Sequence, residues 1–410
     1  MIRKIKFNNF YSFDGTQEIN FLVKKKKTYD YYKSKSGHQI TKIACFIGSN
    51  ASGKTNVIRL FSFFGYFVSR RSRSIKDENE IISEIAFKNF FNNEKQSDFY
   101  IEFEKNDTIF YYSFSIEKNQ IIKENLKIKK IEKKSKEIEI FSRDLDGIIN
   151  LNNDYFKNIS KESLPNTRKD VSIITSIKKS IYEVEIISEV YDYFSKFITN
   201  INERGYLNTN MPLYQLNQIL KCKNDIDLKK NIEEVISGFD LGLKGFDFIE
   251  EELFDEKNEE NNFEKKNYKR LSIYGIHETK EKNNKIGWIY ESRGTRSIFF
   301  VLVNILFALK NDIPVIIFDE IETGFHPEAL NKLITYYIDL CENKNIQLLF
   351  SSHSHEFMNK LDMHQIFLVE KNKGKSFVYP LNKIKNIRSD ENFLSKYLSG
   401  AYGAFPKIRI

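Results

Sequence analysis

The stretch that most constrains this chain is residues 48–55, GSNASGKT, a full match to the P-loop pattern G-x-x-x-x-G-K-[ST]. Five apolar residues, 43–47, precede it and are typical of a buried parallel strand. Apolar residues at helical spacing follow it, at 57–61. Because loop and helix N–H groups point at one place, this order predicts a phosphate site. Its predicted residues are Gly48, Ser49, Asn50, Ala51, Ser52, Gly53, Lys54, Thr55 and Asn56.

The motif assigns two roles. Lys54 would reach the β- and γ-phosphates of ATP, and Thr55 would hold Mg²⁺. A chance match in a surface loop is the alternative, but the flanking strand and helix argue against it.

A second constellation is four apolar residues, 315–318, followed by Asp319 and Glu320. A buried strand directs such acids out of its carboxyl end, where ligands of open α/β sheets bind. We expect Asp319 to hold Mg²⁺ and Glu320 to act as general base on the attacking water. The alternative is an ordinary strand that ends in a solvated acidic turn.

Lys54 and Asp319 are separated by well over half of the chain, so a long segment interrupts the core. Before the second constellation, residues 291–296 (ESRGTR) precede an apolar helix, as the signature loop does in ATPases of the ABC class. Ser292, Gly294 and Thr295 would contact a γ-phosphate there; a simply capped helix is the alternative.

Residues 322–327 occupy the D-loop position. His353 occupies the switch-histidine position, and the pair with His355 lacks a third ligand for a metal site.

The rest of the chain indicates an α/β fold. Alternating residues before 23 and a hairpin signal at Asn106-Asp107 predict an antiparallel β lobe. Apolar residues at helical spacing between 174 and 198 predict a helical insertion, and the acidic stretch 250–262 an exposed loop. Buried strands at 315–318, 347–350 and 366–369 alternate with helices. We predict an N-terminal head part at 1–140, an insertion at 141–265 and a C-terminal head part at 266–410.

Composition restricts the class of protein. The 410 residues carry a net charge of +8, and no apolar run reaches the length of a membrane span. Clustered bases at 24–27 and at Arg70, Arg71 and Arg73 leave nucleic acid open as a partner, although solvated lysines explain them more simply. Cys45, Cys222 and Cys341 are scattered thiols of a reducing compartment. With no signal peptide in the first residues, the sequence predicts a cytoplasmic protein.

Taken together, GSNASGKT, ESRGT, IIFDEIETGFHP, FSSHS and the closing YLSGAYGAFPKI resemble one family. The chain is similar to AAA family ATPases of the ABC class related to SMC and OLD proteins. It resembles the branch that includes the abortive-infection ATPases of the AbiL and RloA type, and it is similar to the ATPase subunit of the PARIS anti-phage system, which belongs to the same broad group.

This resemblance implies an ABC-type head that uses ATP and Mg²⁺ and pairs with a second copy, as a homo-dimer or higher homo-oligomer. It implies a role in anti-phage defence with a separate effector protein, a nuclease or toxin, and no membrane partner. An SMC-like genome-maintenance ATPase that binds DNA is the alternative. Few residues follow the last predicted strand, too few for a nuclease domain, so we expect no intrinsic nuclease. His364 departs from the family pattern, and Gln96 is the Q-loop candidate by position alone.

Overall fold

A computed structural model describes residues 1–24, 28, 30–69, 95–132, 135–157, 159–161, 164, 168–202, 205–206, 225–239, 241–255, 266–278, 283–324, 326–342 and 344–405. The chain divides into two compact units. The first comprises Met1–Leu207, Asp312–Ile321 and Asn331–Ile410, and the second comprises Asn208–Asn311 and Glu322–Leu330. Lysines 25–27, Arg70, Arg71, Arg73 and Cys222, named above, lie outside the described residues.

The strands β1 to β21 are, in chain order, Ile2–Asn8, Gln17–Asn20, Leu22–Val23, Tyr31–Lys33, Gln39–Thr41, Ile43–Ile47, Ser97–Lys105, Thr108–Glu117, Gln120–Lys130, Ile138–Asp144, Ile148–Leu151, Ile198–Thr199, Ile201–Asn202, Gly205–Tyr206, Leu243–Asp255, Lys266–Glu278, Asn283–Gly287, Val315–Phe318, Gln347–Ser352, Ile366–Asn372 and Lys375–Pro380. The helices α1 to α7 are Lys54–Ser69, Ile173–Lys178, Glu185–Ser195, Ile226–Ser237, Arg293–Lys310, Pro327–Leu340 and Phe393–Leu398.

The core of the first unit is a six-stranded sheet in the order β12-β18-β19-β6-β20-β21. Its neighbours are parallel except for the last pair, β20 and β21. Strands β6, β18 and β19 are buried throughout, and the unbroken apolar runs of β6 and β18 predict this burial. The three predicted C-terminal strands are confirmed. Because parallel strands share one carboxyl edge, the turns after β18, β19, β6 and β20 meet there.

A seven-stranded antiparallel sheet, β11-β10-β9-β8-β7-β1-β2, forms the N-terminal lobe. The predicted hairpin is confirmed: Asn106 and Asp107 have φ of 48° and 55°, as the tightest hairpin turns require. Helix α1 lies between the two sheets. Its Phe61 packs on Phe46 of the parallel sheet, and its Phe63 packs on Phe99 of the antiparallel one. These contacts hold the start of α1 beside the loop that precedes it.

The predicted insertion, 141–265, differs in two respects. Its first boundary falls inside the lobe, since β10 spans it and pairs with β9. The helical pattern is also broken, because α2 and α3 flank a turn in which Ile181 is 91% exposed. Ile198, which matched the helical spacing, lies instead in β12, a parallel neighbour of β18. The apolar spacing that we interpreted as helical thus covers two short helices and one edge strand.

The second unit packs α4 against α5 and against a long antiparallel hairpin of β15 and β16. The acidic stretch predicted as a loop is strand as far as Asp255. Its backbone register pairs residues 243–255 with residues 266–277 of β16. Residues 256–262 lie outside the described part. Among the helices of the described residues, none has the length and apolarity to cross a membrane.

Candidate nucleotide site

The P-loop connects β6 to α1, as predicted. The Ser52 N–H donates to the Ser49 carbonyl over 3.2 Å, and the Val57 N–H donates to the Gly53 carbonyl over 3.1 Å, so the loop runs directly into the helix. Gly53 has a φ of +115°, and a Cβ there would come within 2.6 Å of Ser376 Oγ. Only glycine fits that position. Asn50 and Ala51, at the crown of the loop, are exposed.

The Lys54 side chain folds back over the loop and is 4% exposed. Its Nζ donates to the carbonyl oxygens of Gly48, at 2.8 Å, and Ser49, at 3.0 Å. Two carbonyls thus fix the ammonium at the loop. The first turn of α1 carries no acidic residue, so the lysine and the helix N-terminus together favour an anion.

Ser12, in the connection between β1 and β2, takes part in a hydrogen-bond network beside the P-loop. Ser12 Oγ accepts from Asn56 Nδ2 at 2.8 Å and from Ser376 Oγ at 2.8 Å, and Ser376 Oγ lies 2.6 Å from the Ser52 carbonyl. Asn56 therefore ties α1 to this support. We did not single out Ser12 or Ser376, because their distance from the motif in sequence gives no signal.

Asp319 follows β18 and is fully buried. Ser351 Oγ donates to Asp319 Oδ1 and accepts from the Glu320 N–H at 2.8 Å, so one hydroxyl connects both acids. The Asn200 amide makes two 2.8 Å hydrogen bonds to the backbone of Asp319, one in each direction. Sequence reasoning missed Asn200. Ser351 was part of the FSSHS motif, but only His353 had been given a role.

Glu320 and His353 meet at the carboxyl edge of the sheet. Glu320 Oε1 lies 3.3 Å from His353 Nε2, and both side chains are half-buried. Glu320 has a φ of 46°, a left-handed conformation that is uncommon for a residue with a side chain. Such backbone strain concentrates at functional sites, where neighbouring contacts enforce it. Here the hydrogen bond from the Glu320 N–H to Ser351 supplies one such contact.

His355 is two residues further along the chain than His353. Its ring packs on Tyr397, with centroids 4.7 Å apart. Burial, followed by electrostatic interactions with Lys54 and His353, lowers the pKa of His355 to about 4, so its ring is neutral at pH 7. Over the described residues, no group of three or more His, Cys, Asp or Glu side chains could hold a metal ion.

The residues present fit a nucleotide phosphate and Mg²⁺. In the described part of the P-loop unit, the buried Ser52 hydroxyl makes no hydrogen bond. A polar ligand at the loop would offer it a partner. Thr55 and Asp319 offer a hydroxyl and a carboxylate, which are the oxygen ligands that Mg²⁺ prefers. Thr55 and Asp319 would hold the ion, and the loop N–H groups and Lys54 would hold the phosphates.

The signature residues belong to the second unit. Ser292 caps α5: its Oγ accepts the Thr295 N–H at 3.0 Å and lies 2.8 Å from Thr295 Oγ1. A Cβ at Gly294 would lie 2.5 Å from the Gly324 carbonyl oxygen of the D-loop turn. Gly294 is therefore required for packing within its own chain, a reason that the sequence did not indicate. Phe325 of the D-loop lies outside the described residues.

Two further residues named from the sequence make contacts of another kind. His364 is at the amino end of β20, where its Nδ1 lies 2.5 Å from Asp362 Oδ1. Gln96 precedes β7, and its amide donates to Asp98. Neither is on the carboxyl edge of the parallel sheet.

A model of the family described as "AAA domain, putative AbiEii toxin, Type IV TA system" matches residues 43–359. The chain belongs to this family. The match begins at the first residue of β6, so it includes the P-loop, and it extends past the switch histidine. The matched range thus contains the P-loop centre described above. None of the curated proteins matches the chain significantly.

Solved structures of SMC heads are similar to this AAA-family chain at low identity. An SMC head bound to the C-winged helix domain of ScpA is 14% identical, with a TM-score of 0.47, and the match covers 92% of this chain and 96% of that chain. The SMC head domain from Thermotoga maritima is 12% identical, with a TM-score of 0.43, over 92% of this chain and 98% of that one. A Pyrococcus furiosus SMC head bound to the C-terminal domain of ScpA is 13% identical, with a TM-score of 0.41, over 93% and 97%.

Proposed function

We propose that this AAA-family protein is an ATP-driven switch that hydrolyses ATP with Mg²⁺ at the site centred on Lys54, Asp319 and Glu320. The observation that carries the proposal is the 3.3 Å contact between Glu320 and His353 on the edge of the sheet where the P-loop also lies. A carboxylate on that edge can accept a proton, and an imidazole held beside it can contact a phosphate oxygen.

In this mechanism each residue has a separate task. Lys54 and the loop N–H groups bind the β- and γ-phosphates, and bound Mg²⁺ neutralises charge on the transferred phosphoryl group. Glu320 accepts the proton of the attacking water, while His353 orients that water or contacts the γ-phosphate. Ser351 holds Asp319 and Glu320 in fixed relation, since its hydroxyl bonds to both.

We further propose that two copies pair head to tail, so that Ser292, Gly294 and Thr295 of one copy complete the site of the other. Ser292 already presents an ordered helix N-terminus, which favours a phosphate. Closed two-fold pairing is the commonest symmetry of homo-oligomers. ATP would join the heads, and hydrolysis would release them.

The biological role that we propose is anti-phage defence in the cytoplasm, with the switch controlling a separate effector protein. Two observations support it: the family description names a putative AbiEii toxin and a type IV TA system, and every carboxylate to which we assign chemistry serves the ATP site. The sequence motifs shared with abortive-infection ATPases support the same role.

The test compares two buried lysines. Lys54→Met should abolish ATP hydrolysis and weaken ATP binding by at least tenfold, because the ammonium aimed at the phosphates is lost. Lys42→Met is the matched control, since Lys42 Nζ also donates to two carbonyls, those of Cys341 at 2.6 Å and Lys344 at 2.8 Å, but precedes β6 at its opposite end. It should keep ATP binding. Wild-type hydrolysis by folded Lys54→Met protein would exclude the proposed site.

A further inference from the structure

The last part of the described chain, Asn392–Phe405, which we name the C-terminal segment, reaches the P-loop. It forms helix α7 and then a turn that ends near Ala404. The Ala404 carbonyl oxygen accepts two hydrogen bonds, from the Ser49 N–H at 3.1 Å and from the Tyr397 hydroxyl at 3.0 Å. Ser49 is the second residue of the P-loop. The proposed ATPase mechanism makes no use of this segment, although its sequence was one of the recognised motifs.

Side chains outside the P-loop hold the segment in place. The Ala404 N–H donates to Glu370 Oε2 at 3.2 Å, and the Tyr379 hydroxyl donates to the Tyr402 carbonyl at 3.2 Å. Ala404 has a φ of 54°, which an alanine adopts only when its surroundings enforce it. Tyr397 is fully buried, so its hydroxyl needs a partner, and Ala404 provides it. The segment is therefore a built element with a fixed carbonyl.

The hydrogen bond at Ser49 has a consequence for Lys54. The Ser49 N–H and the Gly48 carbonyl belong to one peptide group, which is planar. The N–H donates to Ala404, and the carbonyl of the same peptide accepts from Lys54 Nζ at 2.8 Å. Fixing the direction of the N–H therefore fixes the direction of the carbonyl that holds the lysine. Hydrogen bonds in such a chain also polarise one another.

We propose that the C-terminal segment orients the Gly48–Ser49 peptide and so positions Lys54 for the phosphates of ATP, with Tyr397 as a positioning residue. This inference rests on the proposed function. The C-terminal segment, which belongs to none of the nucleotide motifs, would then contribute to the affinity for ATP. The His355 ring, packed on Tyr397, keeps the tyrosine hydroxyl directed at Ala404.

The first test is Tyr397→Phe, which removes one hydroxyl and keeps the ring. We expect the KM and the Kd for Mg-ATP to rise about two- to tenfold, the effect of one hydrogen bond, with kcat within about twofold of wild type. The effect falls mainly on binding because Tyr397 touches no reacting atom and the Lys54 ammonium itself is retained in the site. Tyr337→Phe is the matched control: Tyr337 is also fully buried and donates to a carbonyl, that of Ile346, at 2.9 Å. It should lower Tm without changing KM.

The second test needs no variant. Because coupling between sites is reciprocal, saturating Mg-ATP should slow amide hydrogen exchange in residues 393–405 of the wild-type protein. Unchanged exchange there, or a Tyr397→Phe protein with the KM of wild type, would overturn the inference while leaving ATP hydrolysis intact. A folded wild-type protein that binds no ATP would overturn the proposed function and this inference with it.

Discussion

Glu320 Oε1 and His353 Nε2 lie 3.3 Å apart, on the turns that follow two neighbouring parallel strands. The relationship depends on register, since Phe318 pairs with Phe350, and each strand then delivers its polar residues at the same level. Ser351 links the two turns by accepting from the Glu320 N–H. The pairing of β18 with β19 therefore sets the relative positions of the two candidate catalytic residues.

Glu320→Gln should keep Mg-ATP binding and slow turnover by about 10²-fold or more, the scale of a lost general base. The substitution preserves shape and the contact with His353. Asp319→Asn is the contrast, because it should weaken the binding of Mg²⁺ and, with it, the binding of Mg-ATP. Single-turnover hydrolysis and equilibrium ATP binding measure both. Normal turnover by Glu320→Gln, with another carboxylate essential, would refute the assignment of the base.

Shared sites can be tested at Ser292 without disturbing helix α5. Asp and Asn both replace serine well as helix N-caps, so Ser292→Asp and Ser292→Asn should fold alike. Only Ser292→Asp places a negative charge where the partner copy's phosphate would lie. We expect Ser292→Asp to lose most ATPase activity and Ser292→Asn to retain substantially more. Substituting Gly294 would be less informative, because a side chain there would overlap Gly324 of the same chain.

Mixing variants then tests pairing. Lys54→Met and Ser292→Asp should each be inactive alone, and a mixture that exchanges subunits should recover up to about a quarter of the activity, since half of the pairs are mixed and each holds one intact site. Steady-state ATPase of premixed samples measures this recovery. A mixture that exchanges fully and remains inactive would argue against shared, independent sites.

Nucleic acids provide a separate test. We expect the purified chain to leave DNA and RNA uncut with Mg²⁺ or Mn²⁺, since the carboxylates with assigned chemistry belong to the ATP site. Cleavage that disappears on substitution of a carboxylate elsewhere in the chain would contradict the proposal. ATP-stimulated DNA binding that weakens steeply with salt would favour an SMC-like role instead.

His355 predicts a dependence of stability on acid. Its pKa is about 4 in the folded protein against an ordinary 6.5, so between these pH values the unfolded chain binds more protons. Stability is therefore lost as the pH falls from 6.5 towards 4. His355→Phe keeps a ring against Tyr397 and removes the titration, so its Tm should fall by about 2–4 °C less across this range. Equal slopes of Tm against pH in both proteins would contradict this role for His355.

The sequence predicted the parts of the site that are contiguous. The loop between β6 and α1, and the positions of Asp319, Glu320 and His353 after buried strands, follow from local patterns. The roles of these residues at an ATP site stay predictions. The α/β class and the N-terminal antiparallel lobe are confirmed for the same reason, since alternation and turn chemistry are local properties.

The supporting residues could not be predicted in this way. Asn200, Ser12 and the Tyr397–Ala404 contact act through hydrogen bonds between residues distant in sequence. Helical spacing also misassigned Ile198, because a two-residue edge strand is too short to show a period of its own. The strand at 243–255 was missed because a run of acidic residues is typical of a loop, and its pairing with β16 is not visible in a local pattern.

The position of β6 has a consequence for biosynthesis. The P-loop strand has no neighbour from its own half of the chain, because its partners β19 and β20 both come from the C-terminal part. Its supports Ser12 and Ser376 are 364 residues apart. A nascent chain on the ribosome therefore carries the nucleotide motif long before it can assemble the sheet beneath it. Truncated products that lack β19 and β20 should then be unable to hydrolyse ATP, because the strand before the P-loop would lack both of its neighbours.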